Sequence, residues 1–369
     1  MTRSSPTSAP EPEPSPPKPP SRPPERPSHH RAQGGYRNPW PGGDVRGGKD
    51  LLKWMAQRWK SGSALRRDRS RFTTSTPAFE RPRAPADALT ATWVGHSTVL
   101  LQLGSVTVLT DPIWSRTASP VPLLGPRRHV RAGVKFSDLP AVDAVLVSHN
   151  HYDHLDARTV RRLNRRMPGL SWVCPLGLES WLRKRGVRNA WELDWWDTLH
   201  VGGATVTAVP ARHFSARGFD DRFATLWCGY VVEADGWRVL FCGDSGMHDD
   251  WRLIGERLGP FDAMLIPIGA YDPRWFMEAV HMNPEEAVAT YAAVSAGSGL
   301  RGSPPVGKVT APRQPPVMLP IHWGTFKLTD EPLDEPPARL RAAWEKASLD
   351  ADSLWLLQHG ETRRLRRGA

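Results

Sequence analysis

The sequence has few cysteines and no long apolar run. Cysteine occupies 3 of the 369 positions, which excludes a small secreted fold held together by disulfides. No stretch approaches the roughly 20 consecutive apolar residues of a membrane-spanning helix. The beginning of the chain also lacks the apolar core of a secretory signal peptide. We therefore expect a chain that does not cross a membrane and that works in the reducing cytoplasm.

The positive charge is concentrated at the two ends of the chain. The formal net charge is +11, from 49 Lys+Arg and 38 Asp+Glu. Residues 1–90 carry a net charge of +9, residues 363–369 carry +4 and residues 91–362 carry −2. Because a nucleic-acid-binding domain needs a basic stripe on its folded surface, the nearly neutral centre disfavours nucleic acid as the partner.

Composition divides the chain into four parts. Residues 1–37 are predicted to be a disordered tail, since 11 of the first 27 residues are Pro and such a segment cannot bury enough apolar surface to offset the entropy of ordering. We assign residues 38–87 to an N-terminal extension, residues 88–362 to the main domain and residues 363–369 to a basic C-terminal tail.

The extension contains one predicted amphipathic helix, over residues 49–60. Leu51, Leu52, Met55 and Trp59 share one helical face, and the lysines lie mostly off it. One interpretation is a helix whose apolar face packs on the domain. The other is an interfacial helix that, with the basic tails, contacts the inner face of an anionic membrane.

Strand-like and helical segments alternate through the main domain. The apolar run 141–148 is typical of a strand that is buried on both faces. Further strands are expected on both sides of it, at 90–94, 98–102, 105–110, 205–209, 227–233, 237–242, 262–268, 317–320 and 353–357. Helices are expected near 156–166, 177–185, 284–295 and 335–347, and the Gly/Pro-rich stretch 296–316 is expected to be a loop. This alternation predicts a mixed α/β domain built in layers.

A cluster of histidines follows the buried strand. Residues 148–156 read SHNHYDHLD and contain the pattern H-x-H-x-D-H, formed by His149, His151, Asp153 and His154. Imidazoles crowded at the end of a strand need polar partners, and a metal ion is such a partner. Nitrogen and carboxylate ligands favour Zn²⁺, although Fe and Mn accept similar ligands.

Three later residues are candidates to complete this site. His213, Asp244 and His322 each come just after a predicted strand. The two ligand pairs within residues 149–154 are too few to fill the coordination of two metal ions. Because all three later residues occupy the same position after a strand, we expect them to be the further ligands.

The set resembles the metallo-β-lactamase-fold hydrolases. Longer phrases are similar to the N-acyl-phosphatidylethanolamine-hydrolysing phospholipase D family: WVGHST at 93–98, GAYDPRWF at 269–276, HMNPEEA at 281–287 and IHWGTF at 321–326. The resemblance runs from about residue 38 to about residue 361. It implies an αββα sandwich, two packed mixed sheets flanked by helices, with the site at one edge between the sheets.

The resemblance also implies a ligand set for two zinc ions. His149, His151 and His213 would hold one ion, Asp153, His154 and His322 would hold the other, and Asp244 would bridge them. The implied reaction is hydrolysis of an N-acyl-phosphatidylethanolamine-like phosphodiester to an N-acylethanolamine and phosphatidic acid, by attack of a hydroxide held between the two metals. Asp153 and Asp244 would thus be catalytic as well as ligating, and His281 is a candidate for substrate contact or leaving-group protonation.

Other functions stay open at this point. A lactonase or phosphodiesterase with a small, soluble, phosphorylated substrate would use the same metals, and so would a nuclease. A protein that acts only through its tails as a non-enzymatic scaffold is the remaining alternative. The sequence does not set the oligomeric state, and a dimer is among the options.

Overall fold

Two β-sheets form the centre of the molecule. The structure is a computed structural model, and it describes residues 27–42, 45–60, 68, 70–121, 124–218, 220–298 and 315–367. The first sheet contains β1 (Ala88–Gly95), β2 (Thr98–Leu103), β3 (Val106–Thr110), β4 (Ala144–Leu146), β5 (Ser171–Pro175), β6 (Asn189–Leu193) and β13 (Thr362–Arg366). The second contains β7 (Thr198–Val201), β8 (Ala204–Val209), β9 (Gly229–Ala234), β10 (Trp237–Phe241), β11 (Ala263–Pro267) and β12 (Val317–Ile321).

Strand direction brings many carboxyl ends to one edge of each sheet. The strand orders are β13-β1-β2-β3-β4-β5-β6 and β12-β11-β10-β9-β8-β7. In the first sheet, β1 and β3 to β6 run in one direction, while β2 and β13 run against them. In the second, β8, β10, β11 and β12 run in one direction. Loops that follow these strands therefore emerge at a common edge.

Helices make up the rest of the regular structure among the described residues. They are α1 (Gly48–Lys60), α2 (Ala157–Arg166), α3 (Glu179–Arg183), α4 (Asp250–Leu258), α5 (Arg274–Met277), α6 (Pro284–Ser298) and α7 (Glu335–Lys346), with two short 3-10 helices at Phe136–Asp138 and Ala351–Ser353. Within the described residues, no helix is both long enough and apolar enough to cross a bilayer.

The alternating direction of side chains along each strand explains how the sheets and helices are layered. In β2, Val99 and Leu101 join the core shared with the second sheet, whereas Leu100 joins a second core beneath α2 and α3. Because successive side chains point to opposite faces, a strand apolar at every position is buried on both sides. Residues of α4, α6 and α7 belong to the same cluster, which reaches both faces of the second sheet because consecutive β10 residues such as Val239 and Leu240 are members. The predicted αββα layering is confirmed.

The N-terminal segment departs from its prediction. Residues 1–26 lie outside the described residues, but residues 27–37, which are part of the predicted disordered tail, pack on the domain. His29 and His30 bond through Nε2 to the two carboxylate oxygens of Asp194, at 2.7 and 2.8 Å. The His29 ring also stacks on Trp195. These polar and ring contacts hold a segment that has too few apolar residues to be recognised from its composition.

The C-terminal end also differs. Residues 363–366, predicted as a basic tail, belong to β13 and pair antiparallel with β1. The basic side chains meet carboxylates: Arg364 pairs with Glu80 and Arg367 with Asp262. The late strand predicted at 353–357 is wrong, since only Leu354 makes an isolated bridge, to Met318. Most of the predicted loop 296–316 lies outside the described residues.

Candidate metal centre

The predicted ligands meet where the two sheets present their carboxyl ends. His149 follows β4, His213 follows β8, Asp244 follows β10 and His322 follows β12. These strands are buried close together in the core, which fixes the positions of their ends. The loops that carry the ligands therefore need only a few residues to reach the same site. All seven predicted ligand side chains lie together, although the sequence separates the first from the last by 173 positions.

The first group contains three imidazoles. His149 Nε2 lies 2.8 Å from His151 Nδ1, and His213 Nε2 lies 3.2 Å from the same atom. The three rings meet at steep angles to one another. Three nitrogen atoms facing one point in this way form one face of a tetrahedral metal site.

The second group contains two imidazoles and a carboxylate. Asp153 Oδ2 lies 3.3 Å from His154 Nε2 and 3.5 Å from His322 Nε2. These three atoms, together with His96, fall within 4.8 Å of one another. The set provides both nitrogen and oxygen ligands at a second point beside the first group.

Asp244 stands between the two groups. Its Oδ2 is 3.0 Å from both His154 Nε2 and His322 Nε2 in the second group. The same oxygen is 3.9 Å from both His149 Nε2 and His213 Nε2 in the first group. The position suits a carboxylate that is shared by two metal ions.

A further layer of contacts orients the rings. Asp111 accepts from Ser148 N and from His154 Nδ1, both at 2.7 Å. His149 Nδ1 bonds to Ser148 Oγ at 2.8 Å, and His213 Nδ1 donates to Val280 O at 2.9 Å. With Nδ1 engaged in each case, Nε2 is left for the centre, and such outer partners also raise the basicity of a ligating imidazole.

Burial and charge set the ionisation of the groups. Burial lowers the pKa of His151 to about 3 and that of His213 to about 4, so both rings are neutral at neutral pH, the form that ligates metals. For His322, burial is outweighed by the Asp244 carboxylate, and the pKa is raised to about 9. The pKa of Asp244 is held well below its usual range because His154 and His322 outweigh its burial.

Several buried atoms of the centre have no hydrogen-bond partner among the described residues. They include His154 Nε2, both ring nitrogens of His322 and Asp244 Oδ1, and the two Nε2 atoms lie at ion-pair distance from Asp244 Oδ2 without the alignment of a hydrogen bond. Leaving such atoms without a partner is costly, and a metal ion would satisfy the imidazole nitrogens directly. The donor set of histidine nitrogens and aspartate oxygens fits two metal ions.

His281 borders the two main groups and forms a further group of possible ligand atoms with His213 and Asp244. Its Nδ1 is 4.0 Å from Asp244 Oδ2 and has no hydrogen-bond partner in the described structure. Its ring centre lies 5.0 Å from that of His213 and 5.2 Å from that of His322. Burial lowers the pKa of His281, so the neutral ring is placed to donate or accept one hydrogen bond at the centre.

His96 and Asp111 are residues that the ligand prediction missed. His96 Nε2 bonds to Asp153 Oδ2 at 2.8 Å, and burial lowers its pKa to about 3. Both residues directly follow a strand, β1 for His96 and β3 for Asp111. The position after a strand, which singled out His213, Asp244 and His322, was therefore also the available signal for these two.

The backbone is strained at the same strand ends. His96, Asp111 and His322 adopt positive φ values of 57°, 30° and 63°, a region that side-chain-bearing residues seldom occupy. Each such residue costs on the order of 1–3 kcal/mol and concentrates at functional sites. Here the strain turns three polar side chains into the centre.

Comparison with known proteins agrees with this geometry. The beta-lactamase superfamily domain matches residues 106–300. The chain is 39% identical, over 264 residues and 69% of each chain, to N-acyl-phosphatidylethanolamine-hydrolyzing phospholipase D 1 of Caenorhabditis elegans. It is 42% identical over 286 residues to an uncharacterized protein of Mycobacterium tuberculosis, covering 75% of this chain and 71% of that one.

A solved structure shows the same fold. The metallo hydrolase of the archaeon Ignicoccus hospitalis matches with a TM-score of 0.54 and 20% identity, over 76% of this chain and 100% of that one. The layers, the histidine and aspartate clusters and the sequence similarity lead to one assignment. The chain is a metal-dependent hydrolase of the metallo-β-lactamase superfamily and belongs to the family of N-acyl-phosphatidylethanolamine-hydrolysing phospholipases D.

Proposed function

We propose that the centre holds two zinc ions. His149, His151 and His213 would ligate one ion, Asp153, His154 and His322 would ligate the other, and Asp244 would bridge them. The observation that carries this proposal is the Asp244 carboxylate, which lies 3.0 to 3.9 Å from four imidazole nitrogens of the two groups. Histidine and aspartate ligands favour zinc, and Fe or Mn would accept the same set.

The reaction we propose is the hydrolysis of a phosphodiester in an N-acyl-phosphatidylethanolamine-like lipid. The bond on the head-group side of phosphorus breaks, and an N-acylethanolamine and phosphatidic acid leave. A pair of metal ions supplies an activated water and charge stabilisation at the phosphoryl group. Support comes from the 39% identity with the C. elegans phospholipase D, together with an apolar surface on α1.

The residues around the ions have separate tasks. Asp153 is held by His96, which fixes the carboxylate as a ligand. Asp111 and Ser148 hold the rings of His154 and His149. His281 lies beside Asp244 and His213 and would be placed to hydrogen-bond a substrate oxygen or to pass a proton to the leaving group.

The α1 helix offers a surface for lipid. The interpretation in which the predicted apolar face packs on the domain is wrong. Trp54 faces inward, onto Phe276, and the predicted apolar face is exposed to solvent. Leu52 is 67% exposed and Trp59 is 76% exposed. Lysines 49, 53 and 60 flank this face and are exposed. An exposed apolar stripe with cations at its margin suits an anionic membrane.

We also propose that the protein works in the cytoplasm, attached peripherally to the inner membrane face. The three thiols, Cys174, Cys228 and Cys242, are buried and free, which suits a reducing compartment.

Metal analysis and a substrate panel test the proposal. Elemental analysis of the purified protein should give two metal ions per chain, with zinc the main element. N-acyl-phosphatidylethanolamine should be hydrolysed, and phosphorylated lactones should not. Activity on the lactones alone would overturn the lipid substrate while keeping the metal centre.

The Asp244→Asn variant tests the bridging role. We expect it to lose metal and to hydrolyse the lipid more than about 100-fold more slowly, since even residues outside the ligand shell cost 10–100-fold when changed. Hydrolysis near the wild-type rate, with two metals still bound, would remove Asp244 from the bridge.

A further inference from the structure

A basic pocket lies on the connection between β3 and β4, on the same edge of the sheet as the metal centre. Its volume is about 420 Å³, and its lining residues are Arg116, Thr117, Arg127, Arg128, His129 and Arg131. Four of the six are arginines and none is acidic. Neither the proposed ligands nor the reaction makes use of it.

The backbone forces these arginines together. Arg128 N donates to Arg116 O at 2.7 Å, and Ala118 N donates to Pro126 O at 3.0 Å. Thr117 bridges Arg127 antiparallel, so the segment folds back on itself and sets Arg116 beside Arg128. Like charges on paired strands repel, and the fold therefore holds a concentration of positive charge in place.

Within the described residues, two of the four arginines lack a compensating carboxylate. Arg116 and Arg131 are exposed and form no ion pair there. Asp156 is the carboxylate that acts electrostatically on Arg128. A bound anion would remove the remaining repulsion.

One wall of the pocket is rigid. The Arg128 guanidinium donates from Nη2 to Ile113 O at 2.7 Å and from Nε to Ser115 O at 3.2 Å. It also lies over the Phe326 ring, 4.9 Å from the ring centre. Burial lowers the pKa of Arg128 to about 10, so the group stays charged at neutral pH.

The pocket shares this wall with the metal centre. Phe326 contacts Arg128 on one side and the His96 ring, 5.2 Å away, on another. His129 N donates to Thr325 O at 2.7 Å, which ties the pocket to the segment that follows His322. A ligand in the pocket would therefore sit next to the centre but outside it.

We propose that this pocket binds a phosphate group that is not the one hydrolysed. Arginine is the side chain best suited to phosphate, because its planar fork of N–H donors matches two phosphate oxygens at once. The phosphate belongs either to the headgroup of an anionic phospholipid beside the substrate or to a soluble phosphate compound. The proposal goes beyond the hydrolytic function, because this phosphate is not the one that is hydrolysed. Its binding can be measured without any turnover of substrate.

A pair of matched double variants tests it on the metal-loaded protein. R116S/R131S removes two exposed arginines from the pocket, and K184S/R188S removes two exposed cations near β6, where neither forms an ion pair among the described residues. Both variants lose the same charge. Each is mixed with phosphatidylcholine vesicles that contain phosphatidic acid, and bound protein is measured by co-sedimentation.

We expect R116S/R131S to bind these vesicles about thirtyfold more weakly than the wild type, at about 1 kcal/mol per basic residue near an anionic surface. K184S/R188S should bind like the wild type, and vesicles of phosphatidylcholine alone should not distinguish the variants. That result assigns the pocket to a lipid headgroup.

A second measurement covers the soluble source. Phenylglyoxal labelling of arginines is followed by mass spectrometry with and without inorganic phosphate. Protection of Arg116 and Arg131, without a loss of vesicle binding specific to R116S/R131S, assigns the pocket to a soluble phosphate. Absence of both effects overturns the proposal. Neither readout involves catalysis, so a failure here is distinguishable from a failure of the proposed reaction.

Discussion

Single residues decide how the metal centre is tuned. The side chains that touch no metal in the proposed arrangement still control it, since Asp111, Ser148 and the carbonyl of Val280 each hold one ring nitrogen of a proposed ligand. Their effect is on orientation and on ligand basicity. It should be visible in metal affinity before it is visible in the fold.

The first prediction concerns Asp111. We expect Asp111→Asn to weaken metal binding by about 10–100-fold, because His154 Nδ1 then meets a neutral amide in place of a carboxylate. Competition with a chromophoric chelator measures this affinity. Asp262→Asn is the control, since Asp262 is also largely buried but pairs with Arg367, away from the centre. Equal losses in both variants would show a general effect on stability.

The second prediction concerns His281. Because the ring borders both metal groups without sharing their short contacts, His281→Ala should retain two metal ions per chain. Its kcat should fall by about 100-fold or more, the usual contribution of a positioned proton donor. Metal analysis and steady-state kinetics on the same preparation distinguish a proton donor from a metal ligand. A variant with one metal ion would make His281 a ligand.

Whole elements decide where the protein meets its surroundings. The α1 helix is fixed from inside by Trp54, whose indole Nε1 donates to Asp330 Oδ2 at 2.6 Å. Arg58 pairs with the other oxygen of the same carboxylate, at 2.9 Å. The inner face of α1 thus anchors the helix, while Leu52 and Trp59 on its outer face are exposed.

The third prediction separates these two faces. Leu52→Ser combined with Trp59→Ser should weaken vesicle binding at least about tenfold, because each side chain contributes roughly 1.5–3 kcal/mol when it is buried in an apolar environment. The thermal midpoint and hydrolysis of a soluble diester should be unchanged. Trp54→Ala is the structural counterpart and should lower the thermal midpoint. Unchanged vesicle binding in the outer-face variant would contradict the lipid surface on α1.

Metal binding in the proposed centre should also stabilise the packing of the two sheets. The centre gathers seven polar side chains between buried strand ends, and several of their atoms lack partners within the described structure. Ions that bind only the folded chain raise its free energy of unfolding by mass action.

The fourth prediction follows from this linkage. Dialysis against a chelator should lower the thermal midpoint, by an amount equivalent to about 4 kcal/mol if metal is normally present at a thousand times its dissociation constant. Re-addition of zinc should restore the midpoint. The shift should be smaller in Asp244→Asn. A midpoint that does not respond to the chelator in the wild type would show that the fold does not depend on bound metal.

The order and chemical type of the main ligands could be predicted from the sequence, because these ligands come directly after apolar strands. The run 141–148 predicts a buried strand, and H-x-H-x-D-H directly after it places four polar groups at the strand's end. The alternation of strand-like and helical segments likewise predicted a layered α/β domain, and the family resemblance implied its αββα order. His96 and Asp111 also follow strands but were not named as part of the site, because their roles depend on contacts with Asp153 and His154 that form only in the folded chain.

The fold class, the seven proposed ligands and the nearly neutral charge of the central domain follow from local features of the sequence. The placement of residues 27–37 and 363–366 depends instead on Asp194 and on the edge of β1, partners that are far away in the chain. The tertiary structure also turned the apolar face of α1 outward and gathered four arginines into one pocket. Local sequence patterns indicate which residues are apolar and will be buried. The pairing of charges and of sheet edges instead depends on groups that come together only when the chain folds.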